Sequence, residues 1–175
     1  MRVYFLLLSI LMFATSCNSP AGNRKTNKDI DEQTRNKAIE ICENYIKSQI
    51  NEPEKIVTRD GLIIIGDNFQ KYIINPGNIY SGDLNDDNKD DAILTLDRFQ
   101  GQFQVPSEQL FMLNQRGKLV LAGIMEFDMR VIKLENGIIT AQVPEHTRSS
   151  PLFSCEDCQD TIRYTFKNDK MVPIE

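Results

Sequence analysis

Apolar and polar positions divide the chain into four regimes. Residues 3–13 are almost wholly apolar, with Arg2 before them and Ala14-Thr15-Ser16-Cys17 after. Residues 18–28 are polar, carry Pro20 and Gly22, and show no apolar period. Over residues 29–50, Ile39, Cys42, Tyr45, Ile46 and Ile50 recur at helical spacing and make one apolar stripe. Beyond that, short apolar runs with period two alternate with turn residues.

The third regime predicts a helix over residues 29–50. Asp29 is its expected cap, with Glu32 three residues on in a capping-box-like arrangement. Asn51-Glu52-Pro53 ends it. Cys42 falls on the apolar stripe and reads as a small buried core residue.

The fourth regime predicts strands over residues 62–65, 69–74, 79–84, 92–96, 109–113, 119–126, 130–134, 138–143, 161–166 and 171–174. Asn75-Pro76-Gly77-Asn78 reads as a turn, with Pro at its second position. Residues 98–106 read as a Gln-rich loop carrying Phe99 and Phe103. Asn136-Gly137 is the strongest hairpin signal in the chain. The expected fold class is α+β, mainly antiparallel β: a strand meander with one N-terminal helix packed on the sheet.

Between the third and fourth of these strands stands Gly82-Asp83-Leu84-Asn85-Asp86-Asp87-Asn88-Lys89-Asp90-Asp91. Five carboxylates are set there against one Lys, which is unfavourable unless something neutralises them. Oxygens at alternate positions suit a hard cation, which takes 6–8 oxygen ligands at roughly 2.3–2.6 Å. Asp83, Asn85 and Asp87 stand at loop positions one, three and five. The backbone carbonyl of Lys89 falls at seven and Asp91 at nine. Asp86 and Asp90 are expected to point outward. An EF-hand is excluded, because its twelfth position falls on Leu94 and both flanks read as strands. The sixth position is Asn88, the residue that best tolerates the left-handed conformation after Gly. The reading is calcium held between two strands. A solvated Asp/Asn-rich turn is the alternative.

This pattern resembles the strand–loop–strand calcium motif of the FG-GAP/VCBS class, over residues 83–96. A single copy does not imply the multi-blade propeller usual for that class. From Gly82 onward the order also resembles a group of small envelope proteins of unknown function. Gly82 to Ala92, Gly101 with Phe103, Asn114 with Gly117, Cys155 with Cys158, and Tyr164 with Phe166 carry that likeness. It implies no activity.

The first regime resembles the lipobox of bacterial lipoprotein signal peptides. The resemblance implies cleavage before Cys17 and a lipid on that residue. Residues 1–16 are then the signal peptide, 17–28 a lipidated N-terminus and flexible tether, and 29–175 a single globular domain. The apolar run is too short for a membrane span of about 20 residues. A plain secretory signal cleaved elsewhere is the alternative. In Bacteroidetes-type lipoproteins an acidic run after the cysteine resembles a surface-export signal. No such run follows Cys17, and what that resemblance then implies is an outer-membrane protein facing the periplasm.

Cys155-Glu156-Asp157-Cys158 precedes a strand-like stretch rather than a helix. Its two acids raise the thiol pKa rather than lower it. A structural disulfide between Cys155 and Cys158 suits an exported chain; a metal site or free thiols remain open. His146 is the single His among 175 residues, so few catalytic or metal constellations are possible. Net charge is −5 and no basic strip appears, which argues against nucleic acid. No nucleophile elbow or oxyanion loop accompanies Ser149 and Ser150.

These features lead to a lipid-anchored domain of the bacterial cell envelope with a structural calcium loop. It is read as a non-catalytic binding or accessory protein for an unknown protein or glycan partner. The alternative is an enzyme or enzyme accessory acting on envelope or glycan substrates. A convergent pocket of perturbed carboxylates would favour the enzyme. An exposed apolar patch near Phe99 and Phe103 would favour binding.

Overall fold

One helix and ten strands build the described part of the chain, which comprises residues 30–144, 159–168 and 170–174 of a computed structural model. Helix α1 runs over Glu32–Gln49. Its cap is Asp31, whose side chain accepts the Thr34 N–H at 2.9 Å and the Thr34 hydroxyl at 2.6 Å. The expected cap, Asp29, lies outside the described residues. Glu32 is therefore in the first turn, where a negative charge suits the helix dipole. At the far end the Ile50 N–H donates to the Ile46 carbonyl and the backbone turns extended. Ala38, Cys42 and Ile46 form the fully buried face of α1, with Ile39 and Tyr45 half-buried beside them.

Strands β1 (Glu54–Val57), β2 (Ile63–Gly66), β3 (Gln70–Gly82), β4 (Asp91–Gln100), β5 (Phe103–Gln115) and β6 (Lys118–Glu126) pair antiparallel in chain order as one sheet. Strands β7 (Arg130–Glu135), β8 (Ile138–Pro144), β9 (Gln159–Lys167) and β10 (Lys170–Ile174) make a second sheet, again each beside the next. The fold is α+β and mainly antiparallel β, with α1 packed on the first sheet. The meander is split in two, which the strand pattern did not announce.

Period-two alternation explains the layering. In β4, Ala92, Leu94 and Leu96 point into a core shared with α1. Ile93, between them, points into a second core shared with β7, β8 and β9 through Val131, Leu134, Ile139, Ala141, Tyr164 and Phe166. The first sheet is thus sandwiched between the helix and the second sheet. Phe111 of β5 stacks on Phe166 of β9 with ring centroids 4.8 Å apart, tying the two sheets together. The crossover between sheets, residues 127–129, is held by Gln109. Its fully buried amide accepts the Thr95 hydroxyl at 2.8 Å and donates to the Met129 carbonyl at 3.2 Å.

Three further expectations are corrected. Asn75-Pro76-Gly77-Asn78 does not end a strand; β3 continues through it. Ile74 pairs with Leu96 and Ile79 with Leu94, so residues 75–78 bulge opposite Thr95 alone. The Gln-rich segment is no loop: β4 and β5 stay paired out to Gln100 and Phe103. Finally, β1 is a fully exposed edge strand that the apolar pattern did not mark. The Asn136-Gly137 hairpin is present, with both residues at positive φ (51° and 70°). Among the described residues no helix is long and apolar enough to cross a membrane.

Candidate functional site

The acidic loop joins β3 to β4 and is anchored at three points. Leu84 is buried in the second core, leaving its acidic neighbours at the surface. Gly82 lies against Leu134, whose Cγ would stand 3.1 Å from any added Cβ. Asp91 is fully buried and accepts two backbone N–H groups: Leu84 at 2.8 Å and Asn114 at 2.7 Å. The first bond closes the loop on itself; the second fastens it to β5.

The sequence-predicted oxygens turn into the loop. Asp83 accepts the N–H groups of Asn85 at 3.3 Å, Asp87 at 3.1 Å and Asn88 at 2.7 Å. Asn85 Oδ1 accepts the Asp87 N–H at 3.1 Å. Asp87 Oδ1 accepts the Lys89 N–H at 3.0 Å, and its Oδ2 pairs with the Lys89 ammonium at 2.9 Å. Asn88 sits at φ 62°, the left-handed conformation anticipated for position six. Asp86 takes the same conformation, and the turn between β7 and β8 lies beside it, with Asp86 Oδ1 3.4 Å from where a Gly137 Cβ would stand.

Electrostatics separate the carboxylates. The hydrogen bond from the Lys89 side chain holds Asp87 below the usual carboxylate range. Burial pushes Asp91 up, with the charges of Asp87 and Asp83 adding to it against the two N–H groups it accepts.

Asp83, Asn85 and Asp87 with the Lys89 carbonyl carry oxygen donors of the kind a hard cation takes, and Asp91 is the base of the loop. Two of these donors are an amide oxygen and a carbonyl. Among the described residues no three Asp, Glu, His or Cys side chains close on one point. The loop here is held by backbone N–H groups and the Lys89 ammonium. Asn114 and Gly137 were not read as part of the site. Asn114 was visible only through its place in the Asn-x-x-Gly likeness.

A second polar cluster was not legible at all. Glu108, 7% exposed, accepts the Tyr45 hydroxyl at 2.8 Å and pairs with Arg98 at 2.9 Å. Arg98 also reaches Glu126 at 3.4 Å and lies over the Tyr72 ring. Burial first, then the Glu108 hydrogen bond, pushes the Tyr45 hydroxyl above its ordinary range. This cluster ties α1 to β4 and β5; its carboxylate is already neutralised by Arg98.

At the opposite end of β4 the pair of strands β4 and β5 ends in exposed residues, Gln100 and Phe103. Phe103 is 78% exposed and Phe69, on the adjacent turn, 63%. Phe99 is half-buried. Of the two aromatics near which an exposed patch was expected, Phe103 is exposed and Phe99 is not fully so. Cys17, Cys155, Cys158, His146, Ser149 and Ser150 lie outside the described residues.

The chain matches no protein-family model, no curated protein and no solved structure.

Proposed function

We propose that this chain is a lipid-tethered binding or accessory domain of the bacterial cell envelope, held at the outer membrane facing the periplasm through Cys17. In this reading its 83–91 loop takes a calcium ion that orders the β3–β4 connection and performs no chemistry. Asp83, Asn85, Asp87 and Asp91 supply side-chain oxygens, and Lys89 its carbonyl. The ion supplies charge neutralisation to a loop whose one Lys, Lys89, pairs with Asp87. One observation carries the calcium reading: the side-chain oxygens at positions one, three and five are turned inward, around a left-handed Asn88.

The exposed Phe103 at the far end of β4, near which an apolar patch was expected, supports a binding role over a catalytic one. Cys155 and Cys158 are assigned a local structural disulfide.

Thermal melting tests the calcium reading. Extracellular calcium modules have dissociation constants of roughly 10⁻⁴–10⁻³ M. At about ten-fold excess over that constant, linkage adds ~1.4 kcal/mol to stability. Millimolar calcium therefore raises the melting temperature and magnesium raises it much less. No shift at millimolar calcium would leave only a solvated turn.

A further inference from the structure

We infer that two copies of this chain associate through β1, the edge strand of the first sheet, about a two-fold axis at Ile56. All four residues of β1 are exposed, with Ile56 at 56% and Val57 at 62%. Just beyond it, the Thr58 N–H donates to the Leu62 carbonyl at 2.9 Å. Along an antiparallel strand the direction of the backbone groups alternates, so Ile56 and Glu54 also turn theirs towards β2. Lys55 and Val57 turn their N–H and C=O groups outward, where no described strand pairs with them.

The side chains at this edge select the partner. Ile56 is in register with Ile64 of β2, and Ile64 with Ile73 of β3. The three therefore stand in one row on one face, about 4.8 Å apart from strand to strand. That face is the one opposite the helix, because the alternating Ile63, Ile65, Tyr72 and Ile74 are the residues buried with α1. The row belongs to neither of the two cores, and Ile64 and Ile73 are only half-buried. A row of this kind, running out to a free edge, is completed by a strand that brings another apolar side chain to the position opposite Ile56.

A second copy of β1 does so. With the Ile56 side chains of the two copies opposite each other, Lys55 of each copy falls opposite Val57 of the other. The outward groups then form hydrogen-bonded pairs on either side of the axis. Ile56 stands in the non-hydrogen-bonded pair between them, where side chains approach most closely. Glu54 falls opposite Thr58, so no like charges meet along the strand, and the Lys55 ammonium is already engaged by Glu43 on the helix face. The turn that carries the exposed Arg59 abuts Pro53 of the other copy, which the exposed Glu52 and Glu54 flank. Asp60, beside Arg59, is turned back onto the Thr58 hydroxyl of its own copy. The other edge of this sheet lacks such a match: β6 is bulged at Ala122, between Leu121 and Gly123, which interrupts edge pairing.

So short a strand pair makes a weak association. The test is therefore sedimentation equilibrium of the full chain in density-matched mild detergent, with micelles in large excess, over a concentration series reaching about 1 mM. Wild type shifts from monomer to dimer along the series and forms nothing larger. The Lys55 and Val57 amides gain protection from hydrogen exchange in step with the dimer. Val57→Pro deletes only an outward N–H, a change that edge strands tolerate, and Ile56→Lys sets two ammonium groups opposite each other. Each weakens the dimer about ten-fold or more and leaves the melting temperature close to that of wild type. Arg59→Glu weakens it as well, and adding Glu52→Arg and Glu54→Arg to Arg59→Glu restores it. Val172→Lys, on the edge strand β10, leaves it unchanged. A chain that stays monomeric throughout the series overturns the inference, as does a dimer that Val57→Pro leaves intact. Protection of the Lys55 and Val57 amides in a chain that sediments as a monomer would give the edge to detergent or lipid and overturn it too.

Discussion

Asn114 donates its backbone N–H to Asp91 Oδ1 at 2.7 Å, and through that bond the last residue of the acidic loop is fastened to a strand outside it. The other oxygen of the same carboxylate takes the Leu84 N–H at 2.8 Å near the loop's start. One buried side chain thus sets both the closure of the loop and its seat on the sheet.

Removing that carboxylate leaves two inward-facing N–H groups without an acceptor. Each such group costs about 1–3 kcal/mol, partly offset by relief of a buried charge. Asp91→Ala should lower stability by about 2 kcal/mol in urea unfolding on that basis. Asp91→Asn keeps one acceptor oxygen and turns an amide N–H₂ towards the other donor, so it should recover less than half of the loss. Full recovery by Asn would mean that the second bond contributes nothing.

Glu108 faces the Tyr45 hydroxyl and the Arg98 guanidinium together. Glu108→Ala removes the nearer of the two carboxylates that Arg98 faces, leaving Glu126, and should cost about 1–3 kcal/mol. Tyr45→Phe deletes one hydrogen bond and should cost about 1 kcal/mol. A double-mutant cycle should give a coupling clearly above zero between Tyr45 and Glu108. Strict additivity would contradict the shared network.

Cys42 is fully buried on α1, and burial pushes its thiol well above its ordinary value of 9.0. Tyr45 is raised above its ordinary 10.0, also chiefly by burial. Both groups are raised in the folded state. The stability they contribute is complete below their unfolded values and is lost as pH climbs towards the folded ones. The melting temperature should therefore fall from about pH 9 upward, and Cys42→Ala should flatten the fall between pH 9 and 10. Native protein at pH 8 should resist maleimide labelling at Cys42 until denaturant is added. Rapid labelling of Cys42 in the native state would place the thiol at the surface instead.

Much of this architecture was legible because its causes are local. The helix followed from one apolar stripe, and the β7–β8 hairpin from Asn136-Gly137. The two faces of β4 followed from the alternation of Ala92, Leu94 and Leu96 with Ile93. Other features depend on partners far along the chain. Pro76 and Gly77 carry turn propensity, yet pairing of Ile74 and Ile79 with β4 overrides it and makes a bulge. The amide-rich composition of residues 98–106 masked strands that their mutual pairing sustains. No local signal states that β7 leaves β6 for a new sheet; that depends on Gln109 reaching the Met129 carbonyl. Of the candidate site, the ligand types and the left-handed Asn88 were readable. The seat of Asp91 on Asn114, 23 positions away, was not.

The N-terminal expectations have their own test. Cys17→Ser should abolish lipid labelling and release the protein from the membrane fraction. Non-reducing mass mapping of the same preparations should find Cys155 joined to Cys158. Lipid and membrane retention in the Cys17→Ser variant would contradict the anchor. Two free thiols in the oxidised protein would contradict the disulfide.

The central claim is that the 83–91 loop binds calcium, and titration calorimetry of the full chain in detergent measures it most directly. Calcium should bind one site with a dissociation constant of about 10⁻⁴–10⁻³ M, and magnesium should give much less heat. Asp83→Ala and Asp87→Ala should each abolish the signal. Asp86→Asn keeps a residue that tolerates the left-handed conformation and should largely preserve it. No heat of binding at millimolar calcium, or an unchanged titration in Asp83→Ala, would contradict the account.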